Sequence, residues 1–158
     1  MAFDTVTTDL TIGQIGQLGA PIEPFGSAQS YPIAADSIPP GYGVVVAGDT
    51  VELPSDGADT FAGAAFIDGS LPIEAAGYGT DSGVINAPVA KVARVWVATT
   101  QAVNASDGVF LQFDGSGAGP AGTFRADADG GKAFACPGCA WDHSASSGKA
   151  LLRINLPA

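Results

Sequence analysis

Glycine and proline recur so often along this chain that few stretches are long enough to form a helix. The 158 residues include 22 glycines and 11 prolines, about a fifth of the sequence. A glycine inside a helix costs about 1 kcal/mol relative to alanine, and a proline costs about 3 kcal/mol. Short strands joined by turns tolerate both residues, so we expect an all-β protein.

The hydrophobic pattern also favours short strands. The longest candidate is residues 89–100, in which Val95 and Val97 face one side while Arg94 and Trp96 face the other. The other candidates after residue 40 are residues 43–47, 50–53, 61–67, 109–113, 123–126 and 149–156. Strands of this length and spacing predict a small β-barrel, β-sandwich or β-tulip-like domain.

The N-terminal part of the chain has a different pattern. A glycine follows each of Ile12, Ile15 and Leu18, which argues against a helix, and five prolines lie between positions 21 and 40. Such a segment cannot form a core of its own. We therefore predict an extended N-terminal arm, residues 1–40, that lies on the domain or on a partner, and a β-rich domain, residues 41–158.

The charge is distributed unevenly along the chain. Residues 1–90 contain 11 acids and neither lysine nor arginine, whereas residues 91–158 contain six basic residues and five acids. An acidic surface repels phosphate, so we expect no direct nucleic-acid partner. No apolar run reaches 18 residues, and the first residues lack the features of a signal peptide, so we expect no membrane partner.

Cys136-Pro-Gly-Cys139 is the most conspicuous candidate for chemistry. A redox site would need a helix N-terminus to lower the pKa of a thiol, and the flanking residues favour strands instead. A zinc site could use His143 as a third ligand, but Asp142 would be a poor fourth. A turn with Pro-Gly at its centre is the favoured interpretation. We predict no metal and no cofactor, and the redox state of the pair stays open.

Other motifs do not complete a catalytic site. His143 is the single histidine of the chain, and no Gly-x-Ser-x-Gly nucleophile sequence is present. Asp127-Ala-Asp129-Gly130 lacks the third ligand and the terminal glutamate of a calcium loop. The glycine-rich residues 115–119 lack the Gly-Lys-Ser/Thr ending of a phosphate loop. We therefore predict that the protein is not an enzyme and has no catalytic residues.

A series of short segments follows a recognisable order from about residue 24 to the end of the chain. The series runs through Pro24-Phe-Gly-Ser, Ile38-Pro-Pro-Gly-Tyr-Gly-Val-Val-Val-Ala-Gly48, Val51-Glu-Leu-Pro54, Phe61-Ala-Gly-Ala-Ala-Phe66, Val92-Ala-Arg-Val-Trp-Val97, Ala105-Ser-Asp-Gly-Val-Phe-Leu111, Gly122-Thr-Phe-Arg-Ala-Asp-Ala-Asp-Gly130, Cys139-Ala-Trp-Asp142 and Lys149-Ala-Leu-Leu-Arg-Ile-Asn-Leu-Pro157. In this order the chain resembles the structural cement, or head decoration, proteins of tailed bacteriophages.

The resemblance implies a virion protein that is assembled in the host cytoplasm and lies on the outer surface of the capsid. It implies a homotrimer that binds neighbouring major capsid protein subunits and stabilises the expanded shell against the pressure of the packaged DNA. The family has no catalytic residues to carry over. The Cys136/Cys139 pair is not a feature of this resemblance.

The predicted arm suits such a role. Residues that favour extended backbone can add to the edge of a partner's sheet. Weak contacts suffice when a trimer binds a symmetric shell at many places. We therefore predict that Phe3, Ile12, Ile15 and Leu18 are the capsid-binding anchors of the arm.

Two other functions remain open from the sequence. A carbohydrate-binding β-sandwich on the virion surface would use exposed aromatic side chains, and Tyr78 or Trp141 could serve. A small hydrolase or redox protein would depend on Cys136 and Cys139, which thiol titration and metal analysis would test.

Overall fold

The computed structural model describes residues 14–19, 27–33, 37–68, 77–79 and 83–157. These residues form ten β-strands and one 3₁₀ turn, Asp129–Gly131. The predicted all-β fold is therefore confirmed. Among the described residues, no helix is long and apolar enough to span a lipid bilayer.

The strands overlap every candidate that the sequence predicted after residue 40. They are β1 (Ser27–Pro32), β2 (Gly43–Ala47), β3 (Thr50–Glu52), β4 (Phe61–Ala65), β5 (Asn86–Thr99), β6 (Phe110–Gln112), β7 (Phe124–Arg125), β8 (Ala133–Ala135), β9 (Cys139–Trp141) and β10 (Gly148–Asn155). β1 was not anticipated, because four of its six residues are serine, glutamine or proline, which do not form an alternating apolar pattern.

All ten strands belong to one mixed sheet. Its main path has the order β3-β2-β4-β5-β7-β6-β8, while β1 and β10 also pair with β5, and β9 pairs with β10. β5 is the longest strand, with 14 residues, and it pairs with four other strands. Its pairing with β7 is parallel and the other strand pairings are antiparallel.

A β-bulge interrupts β5 at Lys91. The neighbours of this residue, Ala90 and Val92, pair with two consecutive residues of β1, so Lys91 has no opposite residue there. An extra residue reverses the alternation of side chains along a strand. As a result Ala90 and Val95, an even and an odd position, pack in the same core cluster, while Val89 packs in another. The uniform alternation expected along residues 89–97 is therefore broken.

Two clusters of buried apolar side chains form the core. The larger cluster includes Val95, Val97, Leu111, Phe124, Trp141, Leu152 and Ile154. The smaller cluster includes Ile38, Val44, Val51, Tyr78, Ala87 and Val89. Burial of one such aliphatic or aromatic side chain contributes about 1.5–3 kcal/mol, so these clusters supply much of the stability of the fold.

Candidate functional site

Residues 14–19, from the predicted arm, lie along β5 as an additional extended segment. Leu18 forms an antiparallel bridge with Val95. The backbone hydrogen bonds run from the Gly16 N–H to the Trp96 carbonyl (2.6 Å), from the Trp96 N–H to the Gln17 carbonyl (2.8 Å) and from the Gly19 N–H to the Arg94 carbonyl (2.7 Å). These bonds attach the segment to the central strand of the sheet.

The four predicted anchors fall into two groups. Phe3 and Ile12 lie outside the described residues. Leu18 is half-buried and packs against the larger core cluster. Ile15 is also half-buried, and its side chain lies beside Gly41. Two of the four side chains are therefore in contact with the protein's own domain, and the capsid contact of all four stays a prediction.

Glycines let residues 14–19 approach the domain closely. Gly16 has a φ of +85°, in the left-handed region, and a side chain there would collide with Pro40. A side chain at Gly19 would collide with Leu151. The Ile67 N–H donates to the Gly16 carbonyl at 2.8 Å, which ties the end of β4 to the same segment. These two glycines thus allow residues 14–19 to lie close to Pro40, the last residue of the predicted arm, and to the domain.

Cys136 and Cys139 lie at the two ends of a turn between β8 and β9, as the Pro-Gly centre predicts. The Cys139 N–H donates to the Cys136 carbonyl at 3.3 Å, and Gly138 has a φ of +82°, as a type II turn requires. Both residues are free thiols. Burial raises the pKa of both thiols, that of Cys139 to about 12. Both side chains are therefore protonated at neutral pH and are poor nucleophiles.

His143 packs against an aromatic ring rather than beside the thiols. Its ring meets that of Trp96 edge to face, with 5.8 Å between the centroids. Its buried Nδ1 has no hydrogen-bond partner among the described residues. Within the described ranges, no three His, Cys, Asp or Glu side chains are grouped closely enough to hold a metal ion. The three ligands considered from the sequence are thus not brought together.

The two aromatic residues considered for carbohydrate binding are buried. Tyr78 is fully buried, and its hydroxyl donates to the Phe66 carbonyl at 2.6 Å. Trp141 is 3% exposed, and its Nε1–H donates to the Gly108 carbonyl at 3.1 Å. Neither ring can stack on a sugar in this conformation, so no feature of these residues supports a lectin.

A polar network centred on Arg125 of β7 was not predicted from the sequence. This side chain is 4% exposed. Its Nη2 donates to Asp127 Oδ1 at 2.7 Å and to Gln101 Oε1 at 3.1 Å, and its Nη1 lies 3.4 Å from Gln112 Oε1. Gln112 is fully buried. The network satisfies polar groups that would otherwise be costly to bury.

The loop that faintly resembled a calcium site belongs to this network. Hydrogen bonds from Arg125 and from the Asp129 N–H lower the pKa of Asp127. The Ala118 N–H and the Gln112 side chain donate to Asp129 and lower its pKa. Protein donors thus satisfy these carboxylates. The sequence contained a signal for this arrangement, because acids stand two and four positions after Arg125.

The comparisons with known proteins agree with the order of segments in the sequence. The family model described as "Structural cement protein (E217 gp24/Pam3 gp6)" matches residues 3–156. A chain of the solved structure "The capsid of Myoviridae Phage XM1" has a similar fold, with a TM-score of 0.76 and 19% sequence identity over 98% of each chain. No curated protein matches the sequence.

The family match extends over nearly the whole chain, and it confirms the resemblance inferred from the sequence. The similar fold of a chain in a phage capsid agrees with this assignment. The chain therefore belongs to the phage structural cement protein family, and its function is that of a capsid cement protein.

Proposed function

We propose that this cement protein binds the outer surface of a phage head as a homotrimer, bridges neighbouring major capsid protein subunits and stabilises the expanded shell. Membership of the cement family supports this structural role. The proposed role needs no catalytic residue, and it involves no direct contact with nucleic acid or membrane. The acidic character of residues 1–90 supports the lack of a nucleic-acid contact, because carboxylates repel phosphates.

The attachment of residues 14–19 to β5 is the structural observation that gives the proposal its strongest support. Backbone bonds to Trp96 and Arg94 give any chain that precedes residue 14 a defined starting point on the domain. We propose that residues 1–40 act as the arm, part of which, including β1 and the buried Ile38, packs on the domain of residues 41–158.

The proposed anchors then have two roles. Ile15 and Leu18 hold the base of the arm, as their half-buried positions support. Phe3 and Ile12 would supply apolar contacts to the shell. One arm contributes little affinity by itself, but a trimer on a symmetric shell multiplies such contacts through a high effective concentration.

A short deletion tests the arm. Removing residues 2–13 retains the segment on β5, whereas a deletion to residue 24 would also uncover the β5 edge and lower stability. The shortened protein is mixed with expanded shells that lack cement protein, and the bound fraction is measured by co-sedimentation. We expect loss of shell binding with an unchanged thermal unfolding midpoint.

Point variants refine the test. Phe3→Ala and Ile12→Ala should weaken shell binding, while Thr7→Ala, in the same segment, serves as a control. Full occupancy of the shells by the shortened protein would show that residues 2–13 are not needed. Failure of the full-length chain to bind any shell would contradict the proposed function as a whole.

The position of the protein on the shell and its oligomeric state need separate measurements. Light scattering of the purified protein should give the mass of a trimer. Electron cryomicroscopy of decorated shells should show the added density outside the shell and across boundaries between capsid subunits. Density on the inner surface would contradict the proposed location, and a monomer in solution and on the shell would contradict the trimer.

A further inference from the structure

Three basic residues share the face of β5 and β10 that is opposite the larger core cluster, on which Trp96 and Leu151 are themselves buried. The inner face of β10 contributes Ala150, Leu152 and Ile154 to the larger core cluster, so Lys149 and Arg153 point away from the core. Arg94 of β5 lies directly opposite Arg153 in the antiparallel register. The Nζ of Lys149 lies 5.6 Å from the centre of the Trp96 ring on the same face. The basic face consists of Arg94, Lys149 and Arg153.

The basic face places two like charges side by side. Guanidinium groups directly opposite each other on neighbouring strands repel. Arg94 is paired within the chain, because its Nε donates to Asp142 Oδ1 at 3.0 Å. Arg153 is exposed and forms no ion pair with any described residue. A shallow groove beside the two arginines is lined by residues that include Gly138, Ala140 and Asn155. A partner's carboxylate placed there would offset the repulsion.

The same chain offers a surface of opposite charge at the end of the β2–β3 hairpin. This acidic hairpin carries Asp49 and Glu52, and neither forms an ion pair with a described residue. Val46, in the same hairpin, is 45% exposed, which is unusual for a large apolar side chain. The Thr60 carbonyl accepts the Val46 N–H at 3.1 Å, so the loop that contains Asp56 adjoins the hairpin. The surface thus combines an apolar centre with acidic surroundings.

We propose that the basic face binds the acidic hairpin of a second copy of this chain. Arg153 receives a carboxylate of the hairpin, and this contact opposes the mutual repulsion of copies that each carry a net charge of −10. A contact between two different surfaces of identical chains can close into a ring. The inference rests on the proposed homotrimer, and it identifies the contact that closes it.

Charge reversal on each surface tests the contact. Arg153→Glu removes the exposed charge of the basic face, and Asp49→Lys reverses an exposed charge of the acidic hairpin. Lys132→Glu is the matched control, because it makes the same change of charge outside both surfaces. Native mass is measured by light scattering at low and high salt, and circular dichroism checks that each variant is folded.

We expect wild type and Lys132→Glu to be trimers, and the two surface variants to associate at least roughly tenfold more weakly. Mixing Arg153→Glu with Asp49→Lys should restore association between the two variants, because each retains the surface that the other lacks and the two introduced charges are opposite in sign. High salt should weaken the wild-type trimer through screening.

The other outcomes distinguish failure of the proposed contact from failure of the proposed homotrimer. Trimers of both surface variants would overturn the contact while leaving the trimer in place. A monomeric wild type at all concentrations would overturn both. A trimeric Arg153→Glu variant that no longer binds shells would assign the basic face to the capsid and overturn the inference.

Discussion

The guanidinium of Arg125 lies 2.7 Å from the carboxylate of Asp127, two residues further along the chain. The side chain of Arg125 is 4% exposed, whereas that of Asp127 is 58% exposed. This ion pair therefore links the buried end of β7 to a surface loop. Gln101 and Gln112 accept further hydrogen bonds from the same guanidinium. Their amide groups in turn donate to Asp127 and Asp129, so several donors hold the loop at once.

Replacing Arg125 with methionine should lower the free energy of unfolding by about 2 kcal/mol. The variant leaves the buried Gln112 Oε1 without its donor from Arg125 and leaves Asp127 without its paired cation. Urea unfolding measures the effect, and Lys91→Met, which removes a cation outside the network, serves as the control, with an expected change below about 1 kcal/mol. Equal stabilities of the two variants would show that the network contributes little.

The same network predicts a loss of stability in acid. The pKa of Asp127 is lowered in the folded chain, mainly by the hydrogen bond from Arg125, so its contribution is complete above the unfolded pKa of about 3.9. The contribution disappears as the pH falls through the lower folded pKa. The difference in unfolding midpoint between wild type and Asp127→Asn should therefore be constant near neutral pH and shrink below about pH 4. A difference that does not depend on pH would contradict this assignment.

The two thiols should react slowly while the protein is folded. Burial raises the pKa of Cys139 to about 12 and that of Cys136 as well, so the thiolate fraction at pH 8 is small. A thiol reagent should modify the native chain at least about 100-fold more slowly than the chain in denaturant, where both cysteines react. Rapid modification of the native protein would show that the turn opens readily.

Leu18 should stabilise the fold even though it belongs to the predicted arm. Its half-buried side chain packs on the larger core cluster, so Leu18→Ala should cost about 1–2 kcal/mol. The exposed Gln14 provides a control through Gln14→Ala. Hydrogen exchange gives a second measurement, because the N–H groups of Gly16 and Trp96 are bonded and should be protected. Exchange of both amides at the rate of unstructured peptides would show that the segment leaves β5 in solution.

Strand positions after residue 40 could be predicted because their causes are local. In β10 the alternation of Leu152 and Ile154 with Arg153 depends on neighbouring residues alone, and the Pro-Gly turn at Cys136 depends on four residues. β1 could not be predicted in the same way. Its polar side chains are exposed, and it is a strand because its backbone pairs with β5. Its formation therefore depends on a partner that is distant in the sequence.

Less of the candidate site than of the strand positions could be predicted from the sequence. Membership of the cement family followed from the order of short segments, and the family match confirms it. The position of Leu18 on β5 did not follow, because three-residue spacing does not identify the surface that a segment contacts. The Arg125 network was missed for a similar reason, since its glutamines at 101 and 112 come from separate parts of the chain.

The sequence by itself determined the class of the fold and the place of most strands, because glycine, proline and local alternation act within a few residues. The order of its segments indicated the family, which the family match confirms. The tertiary structure alone decided that residues 14–19 cover β5, that Lys91 forms a bulge and that Arg94 faces Arg153. Each of these features depends on the register between segments that are far apart in the chain. Register is determined by the sum of many long-range contacts, and no short stretch of sequence contains that information.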